Sequence, residues 1–147
     1  NNKYGMGTSV DRAAAGKNLY KRGESFGIKG SIVDGMNVFK VIDAAKEAGE
    51  YVRQGKGPYI LEVETYRYKG HSMSDPAKYR TKEELETYKT NDPIQVAYQE
   101  ILKKKITSKK NLEKINQNII EEIKSAASYA LDSPFPDSED LYSDVYK

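Results

Sequence analysis

A strand, an amphipathic helix and a second strand, in that order over residues 31–66, predict an α/β fold built on a parallel sheet. Ser31-Ile32-Val33 supplies the first strand and the turn pair Asp34-Gly35 closes it. Val38, Val41, Ile42, Ala45, Ala48 and Val52 then recur at three- and four-residue steps behind the N-cap candidate Asn37, the stripe of a helix with one apolar face. Tyr59 to Tyr66 is the best strand of the chain, β-branched and aromatic, with Leu61, Val63 and Thr65 on one side and Ile60, Glu62 and Glu64 on the other.

Ahead of this unit, Asn1 to Thr8 reads as a polar loop in which Gly5 and Gly7 flank Met6 and permit unusual dihedrals or a close backbone approach. Asp11 to Ala15 can form one helical turn, and Gly16 and Gly23 confine Leu19-Tyr20-Lys21-Arg22 to a short element. Gly55 and Gly57-Pro58 end the central helix. Beyond the second strand, Thr81-Lys82-Glu83-Glu84 has the pattern of a capping box, in which Thr81 accepts the Glu84 amide while Glu84 reaches back. Asp92-Pro93 opens a further helix with Ile94, Ala97, Tyr98, Ile101 and Leu102 on its apolar face. A third carries Leu112, Ile115, Ile119, Ile123, Ala126, Ala127 and Ala130 until Ser133-Pro134-Phe135-Pro136 stops it. Residues 1–80 thus form a strand-helix-strand region with its loops, and residues 81–147 a helical region of the same domain. Two strands do not make a viable α/β sheet, so an N-terminal half or a partner is expected to supply more.

The chain has 147 residues, 24 basic against 22 acidic and a net charge of +2, too balanced for nucleic acid as the main partner. The lysines of Lys103-Lys104-Lys105 and Lys109-Lys110 read as solvated helix ends, without interleaved aromatics. There is no cysteine, which excludes disulfides, thiolate metal sites and cysteine nucleophiles. No apolar run approaches the roughly 20 residues that span a bilayer, so no membrane partner is expected.

The chemistry concentrates in Tyr66-Arg67-Tyr68-Lys69-Gly70-His71-Ser72-Met73-Ser74-Asp75-Pro76. In parallel sheets ligands bind beyond the carboxyl ends of the strands, and this loop leaves from such an end. Its single histidine, His71, is the candidate for proton transfer. Arg67, Lys69, Lys78 and Arg80 suit a carboxylate or diphosphate. From the residues alone, this is an anion-handling loop without an assigned reaction.

Two stretches together resemble one family. Asn1-Asn2-Lys3-Tyr4-Gly5-Met6-Gly7-Thr8-Ser9 is similar to the end of the thiamine-diphosphate motif, which starts with Gly-Asp-Gly and closes with paired asparagines. Tyr66 to Pro76, followed by Tyr79-Arg80-Thr81, resembles the phosphorylation-loop region of the alpha subunits of the pyruvate dehydrogenase family, which are thiamine-diphosphate-dependent 2-oxoacid dehydrogenases. Val33-Asp34-Gly35-Met36, Gly55-Lys56-Gly57-Pro58 and Asp144-Val145-Tyr146 extend the likeness over essentially the whole chain.

The resemblance implies a partial thiamine-diphosphate-binding fold, the C-terminal part of one domain, a parallel sheet flanked by helices with additional helices after it. It implies thiamine diphosphate and magnesium as cofactors, with Asn2 giving its side-chain oxygen and Tyr4 its backbone carbonyl to the metal. It places Asn2, Tyr4 and His71 at the cofactor and makes His71 the catalytic candidate. The implied reaction is oxidative decarboxylation of pyruvate with transfer of the acetyl group to a lipoyl group, the cofactor carrying the electron sink. The implied partners are a beta subunit, in a heterotetramer of two alpha and two beta chains, and a lipoyl-bearing dihydrolipoyl acetyltransferase. The Gly-Asp-Gly half, with the first magnesium carboxylate, is not in this sequence, so the chain by itself is expected to be inactive. Ser72 matches one regulatory phosphorylation site of the family and Ser9 another. Lys78 stands where a further regulatory serine is expected, and the segment from Pro76 to Tyr79 is one residue shorter than in animal enzymes. Both favour a bacterial source and a cytoplasmic location over a mitochondrial matrix. The alpha subunit of a branched-chain 2-oxoacid or acetoin dehydrogenase, and a non-catalytic interaction module, are the alternatives.

Overall fold

The computed structural model describes residues 1–146, in two compact units, one over Asn1–Lys104 and the other from Lys105 onward. The first unit opens with a small antiparallel hairpin, β1 (Tyr4–Gly5) and β2 (Thr8–Ser9), with Tyr4 opposite Ser9 and Gly5 opposite Thr8. Of the two roles that the sequence allows its glycines, unusual dihedrals or close approach, the structure shows the second. The positive φ values fall on Lys3 (68°) and Met6 (53°), not on the two glycines. Gly7 serves close approach: a Cβ there would lie 3.0 Å from the Tyr79 ring.

The short helix α1 (Val10–Ala13) follows, then a 3₁₀ segment over Leu19–Phe26. That segment runs through Gly23 where the sequence suggested a stop. Gly23 is buried, and a Cβ there would come within 2.6 Å of the Ile60 side chain, so the glycine serves packing against the sheet.

β3 (Lys29–Asp34) and β4 (Tyr59–Glu64) pair in parallel, in register from Lys29 opposite Tyr59 to Asp34 opposite Glu64. The crossover between them is α2 (Val38–Arg53), which packs on both strands. Asn37 caps it as the sequence predicts, its Oδ1 accepting from the amides of Phe39 at 3.1 Å and Lys40 at 3.3 Å. The α/β class with a small parallel sheet and flanking helices is the predicted one.

The apolar stripe of α2 is only half used. Val41, Ala44, Ala48 and Tyr51 are half-buried, whereas Val38, Ile42 and Val52 keep 39%, 44% and 48% exposure. Tyr66 is the one large hydrophobic residue buried in the described chain. Two strands bury too little apolar surface to make a full core, and part of the apolar face of α2 stays exposed.

α3 (Lys82–Thr90) and α4 (Pro93–Lys103) complete the first unit, and α4 packs on α2. Asp92 caps α4 ahead of Pro93, accepting from the Ile94 amide at 2.9 Å and the Gln95 amide at 3.2 Å. In the second unit α5 runs over Lys109–Asp132 and leaves Ile115, Ile119 and Ile123 exposed. Among the described residues no helix is long and apolar enough to cross a membrane.

Candidate functional site at the end of β4

Two segments meet beyond the carboxyl end of β4: the turn Asn1–Tyr4 and the loop that starts at Tyr66. The turn is built from two successive asparagine side chains that mimic backbone. Asn1 Oδ1 accepts from the Lys3 amide at 2.9 Å and Asn2 Oδ1 from the Tyr4 amide at 3.1 Å. The Asn1 carbonyl accepts from the Thr65 amide at 2.8 Å, which fastens the turn to the residue that follows β4.

Glu62 holds the turn from below. Its Oε1 accepts from Asn1 Nδ2 at 2.7 Å and its Oε2 from the Tyr20 amide at 2.9 Å. The residue is only 6% exposed although its face of the strand reads as the polar one. Burial alone would push its carboxyl up, but the bonds from the Tyr20 backbone and Asn1, with the Lys3 charge, outweigh it and leave the carboxyl below its ordinary range. Lys3 Nζ also pairs with Glu64.

In the loop, Arg67 is the hub. Its Nη2 donates to the Met6 carbonyl at 2.8 Å and to the Tyr79 hydroxyl at 2.9 Å, and its Nε to the Lys69 carbonyl at 3.2 Å. Its Nη1 lies 3.4 Å from His71 Nδ1. An arginine only donates, so in this contact Nδ1 accepts and the ring proton sits on Nε2. Arg80 donates to the Arg67 carbonyl, and to the Tyr68 carbonyl at 2.7 Å. Two of the four cations expected to meet an anion are therefore engaged in shaping the loop, while Lys69 and Lys78 are exposed.

Asp75 closes the loop on itself. It accepts from the His71 amide at 2.6 Å, the Tyr79 hydroxyl at 2.7 Å and the Ala77 amide at 2.8 Å. These bonds, led by that from the His71 amide, bring its carboxyl down to about 2. Gly70 lets the chain pass, since a Cβ there would stand 2.5 Å from the Asp75 carbonyl oxygen.

The structure thus brings Asn2 and Tyr4 into one turn, and links His71 through Arg67 to Met6 in the hairpin that follows that turn, not to the turn itself. His71 is exposed. Ser9 lies across from Tyr4 in the hairpin and precedes α1. Ser72 is exposed, its Oγ 3.2 Å from Ser74 Oγ. Asn2 Oδ1 has two lone pairs and gives one to the Tyr4 amide, so it keeps one for a hard cation. No group of three or more His, Cys, Asp or Glu suited to a metal occurs among the described residues, so a cation at Asn2 and Tyr4 would need further ligands. Glu62 and Glu84, which the sequence placed on a strand face and in a helix cap, hold this site together, and the sequence spacing carried no signal that set Glu62 apart from Glu64 on the same face.

The model of the family described as dehydrogenase E1 component matches residues 1–139. Similar proteins include the pyruvate dehydrogenase E1 component subunit alpha of Rickettsia felis, 51% identical over 146 residues, covering 99% of this chain and 45% of the relative. The protein of that name from Rhizobium meliloti is 47% identical over 146 residues, covering 99% of this chain and 42% of its own length. The pyruvate dehydrogenase E1 component subunit alpha, mitochondrial, of Dictyostelium discoideum is 47% identical over 148 residues, covering 99% of this chain and 39% of its own length. The chain therefore spans less than half the length of these relatives. With a family match over nearly all its residues, the chain belongs to the dehydrogenase E1 component family.

Proposed function

We propose that this chain is part of the alpha subunit of a pyruvate dehydrogenase, which oxidatively decarboxylates pyruvate and passes the acetyl group to a lipoyl group on an acyltransferase. The names of the relatives support the substrate. The observation that carries the reading is Arg67, which bonds both the Met6 carbonyl and His71 and so joins the hairpin that continues from the Asn1–Tyr4 turn to the loop as one wall.

In this reading Asn2 would give its side-chain oxygen, and Tyr4 its carbonyl, to the magnesium ion that accompanies thiamine diphosphate. The cofactor, when bound, supplies the electron sink for loss of carbon dioxide. The chain's own part is to place that group and to exchange protons near it. His71, oriented by Arg67 through Nδ1, offers its Nε2 proton at the loop surface. Asp75 and Arg80 keep the loop in shape. Ser72, exposed on the same loop, is a site where a phosphate would meet the Asp75 carboxylate and disturb this shape, and Ser9 is a second candidate.

The remaining ligands and strands would come from the rest of the subunit and from a beta subunit, two copies of each forming the enzyme. The acetyl acceptor is the lipoyl-bearing acyltransferase. Of the three relatives compared, the most similar is bacterial, at 51% identity, which supports a cytoplasmic location.

The test uses the full-length subunit assembled with its beta partner. Pyruvate is expected to be preferred over branched-chain 2-oxoacids and acetoin, and Asn2→Ala to weaken thiamine-diphosphate binding at low magnesium by ~10-fold, the size of one lost ion contact. A preference for another 2-oxoacid overturns the substrate. Equal cofactor binding by Asn2→Ala overturns the metal role.

A further inference from the structure

Glu84 breaks the local rule that its sequence position suggests. Thr81 accepts the Glu84 amide at 3.1 Å, as half of a capping box should. The other half is missing. Instead of turning back to the Thr81 amide, the Glu84 carboxylate faces away from its own helix and accepts from two tyrosines: Tyr4 Oη at 2.8 Å and Tyr66 Oη at 3.0 Å, both on Oε1. A residue that forgoes a local bond for two distant ones marks a place where the tertiary structure sets the requirement.

The two tyrosines differ in how firmly they are held. Tyr66 is buried, 8% exposed, and its ring stacks on Tyr88 at 3.9 Å with planes 8° apart. Tyr88 sits one turn after Glu84 on α3, so Tyr66 and α3 form one rigid support. Tyr4 is half-buried and borders an open polar cavity of about 550 Å³ that Lys3, Ser9, Glu84 and Tyr88 also line. Its ring meets Tyr79 at 5.4 Å, and among the described residues its hydroxyl bonds Glu84 alone.

We propose that Glu84 is a positioning residue for the cation site, holding the Tyr4 side chain against the rigid Tyr66–Tyr88 support and thereby setting the Tyr4 carbonyl and the Asn2–Tyr4 turn. The inference rests on the reading above, in which that turn meets magnesium. Side chain and carbonyl belong to one residue whose amide is already pinned by Asn2 Oδ1, so fixing the phenol leaves the Tyr4 peptide little freedom to rotate. Through Glu84, the start of α3 and the metal-side turn, 80 positions apart in sequence, share one oxygen atom. The role is to hold the oxygen ligands in the geometry that a small, rigidly octahedral cation demands. A merely structural role for Glu84 would change folding stability without changing how the turn binds the ion.

The full-length subunit assembled with its beta partner is titrated with magnesium chloride at fixed thiamine diphosphate, followed by calorimetry. Thermal stability without metal is measured in parallel. Glu84→Ala and Tyr4→Phe are each expected to raise the apparent magnesium Kd ~10-fold, the size of one charge-assisted hydrogen bond. The double variant should show no further loss, because both changes break the same link. Glu84→Gln, which keeps an acceptor oxygen in place, should recover most of the affinity. Should Glu84→Ala fail to assemble, Tyr4→Phe, which removes only a hydroxyl, carries the test. A magnesium Kd within twofold of wild type in Tyr4→Phe, or additive losses in the double variant, overturns the proposal. Asn2→Ala separates the two ideas. If it leaves magnesium binding intact, the cation site itself is wrong; if it weakens binding and the Glu84 and Tyr4 variants do not, only the positioning role fails.

Discussion

Arg67 Nη2 donates to the Met6 carbonyl at 2.8 Å, across 61 positions of sequence. Through this bond the hairpin that follows the paired asparagines and the loop that follows β4 become one structure. The same guanidinium reaches Tyr79 and His71, so most of its donors are in use.

Arg67→Lys keeps the charge and loses the fork, since an ammonium cannot reach three partners in one plane. Loss of two charge-assisted bonds, each contributing about 1.5–3 kcal/mol, should open the loop locally. The expected outcome, read by amide hydrogen exchange, is much faster exchange at His71 and Ala77, whose amides donate to Asp75, with little change in β3 and β4. Unchanged protection at those two amides would show that the loop does not depend on Arg67.

Asp75 gives the loop a pH dependence of known sign. Its carboxyl lies at about 2 in the folded loop against an ordinary value of 3.8. A depressed acid stabilises the folded form fully above its unfolded value and loses that contribution as pH falls through its folded value. Loop order should therefore be insensitive to Asp75 ionisation from pH 5 to 8 and fall between about pH 4 and 2. The carboxyl-carbon NMR shift of Asp75 should titrate with a midpoint near the lower figure; a midpoint near 4 would remove the argument.

Gly70→Ala and Gly16→Ala form a matched pair. A Cβ at Gly70 would stand 2.5 Å from the Asp75 carbonyl oxygen and 3.0 Å from its Cβ, whereas at Gly16 it would meet nothing within 4 Å. Overpacking against a backbone atom costs about 1–3 kcal/mol, so Gly70→Ala should weaken the loop by that amount. Gly16→Ala should be neutral or stabilise by a few tenths, because it reduces unfolded-chain entropy. Loop exchange rates and Tm for the two variants check this; equal effects would contradict the close approach at Gly70.

Asp92 serves two elements at once. Its Oδ1 caps α4 and its Oδ2 accepts from the Tyr68 hydroxyl at 2.9 Å. The Tyr68 phenol is pushed up to about 12, by burial first and then by the bond to Asp92. A raised phenol stabilises the folded state fully below its unfolded value, and that contribution is lost as pH rises through the folded one. Asp92→Ala should cost about 1–3 kcal/mol, cap and hydroxyl bond together. Absorbance titration at alkaline pH should show one tyrosine moving to lower pH in this variant. Asp92→Asn, which keeps the cap oxygen, should cost less.

Much of this chain is legible residue by residue where the physics is local. The caps at Asn37, Thr81 and Asp92 are read from their own side chains and the amides two or three positions on. The order of β3, α2 and β4 follows from periodicities that change from two to three or four. What escaped is the set of bonds that span the chain. The positive φ at Lys3 falls between the two asparagine turns, in a stretch with glycines available, and Gly7 is given over to close approach by Tyr79. The burial of Glu62 was decided by Asn1 and the segment over Tyr20.

The loop from Tyr66 to Pro76 was marked by composition as a place that handles anions and protons, and sequence alone determined that it leaves the end of a parallel strand and carries the one histidine. Tertiary structure decided how its charges are used. Arg67 and Arg80 turn to backbone carbonyls, and Asp75 to amides of its own loop. Glu84 leaves its helix cap for Tyr4 and Tyr66. The physical reason is the same each time. A charged side chain satisfies its bonds with whatever the fold brings near it, and only local partners are written in sequence spacing.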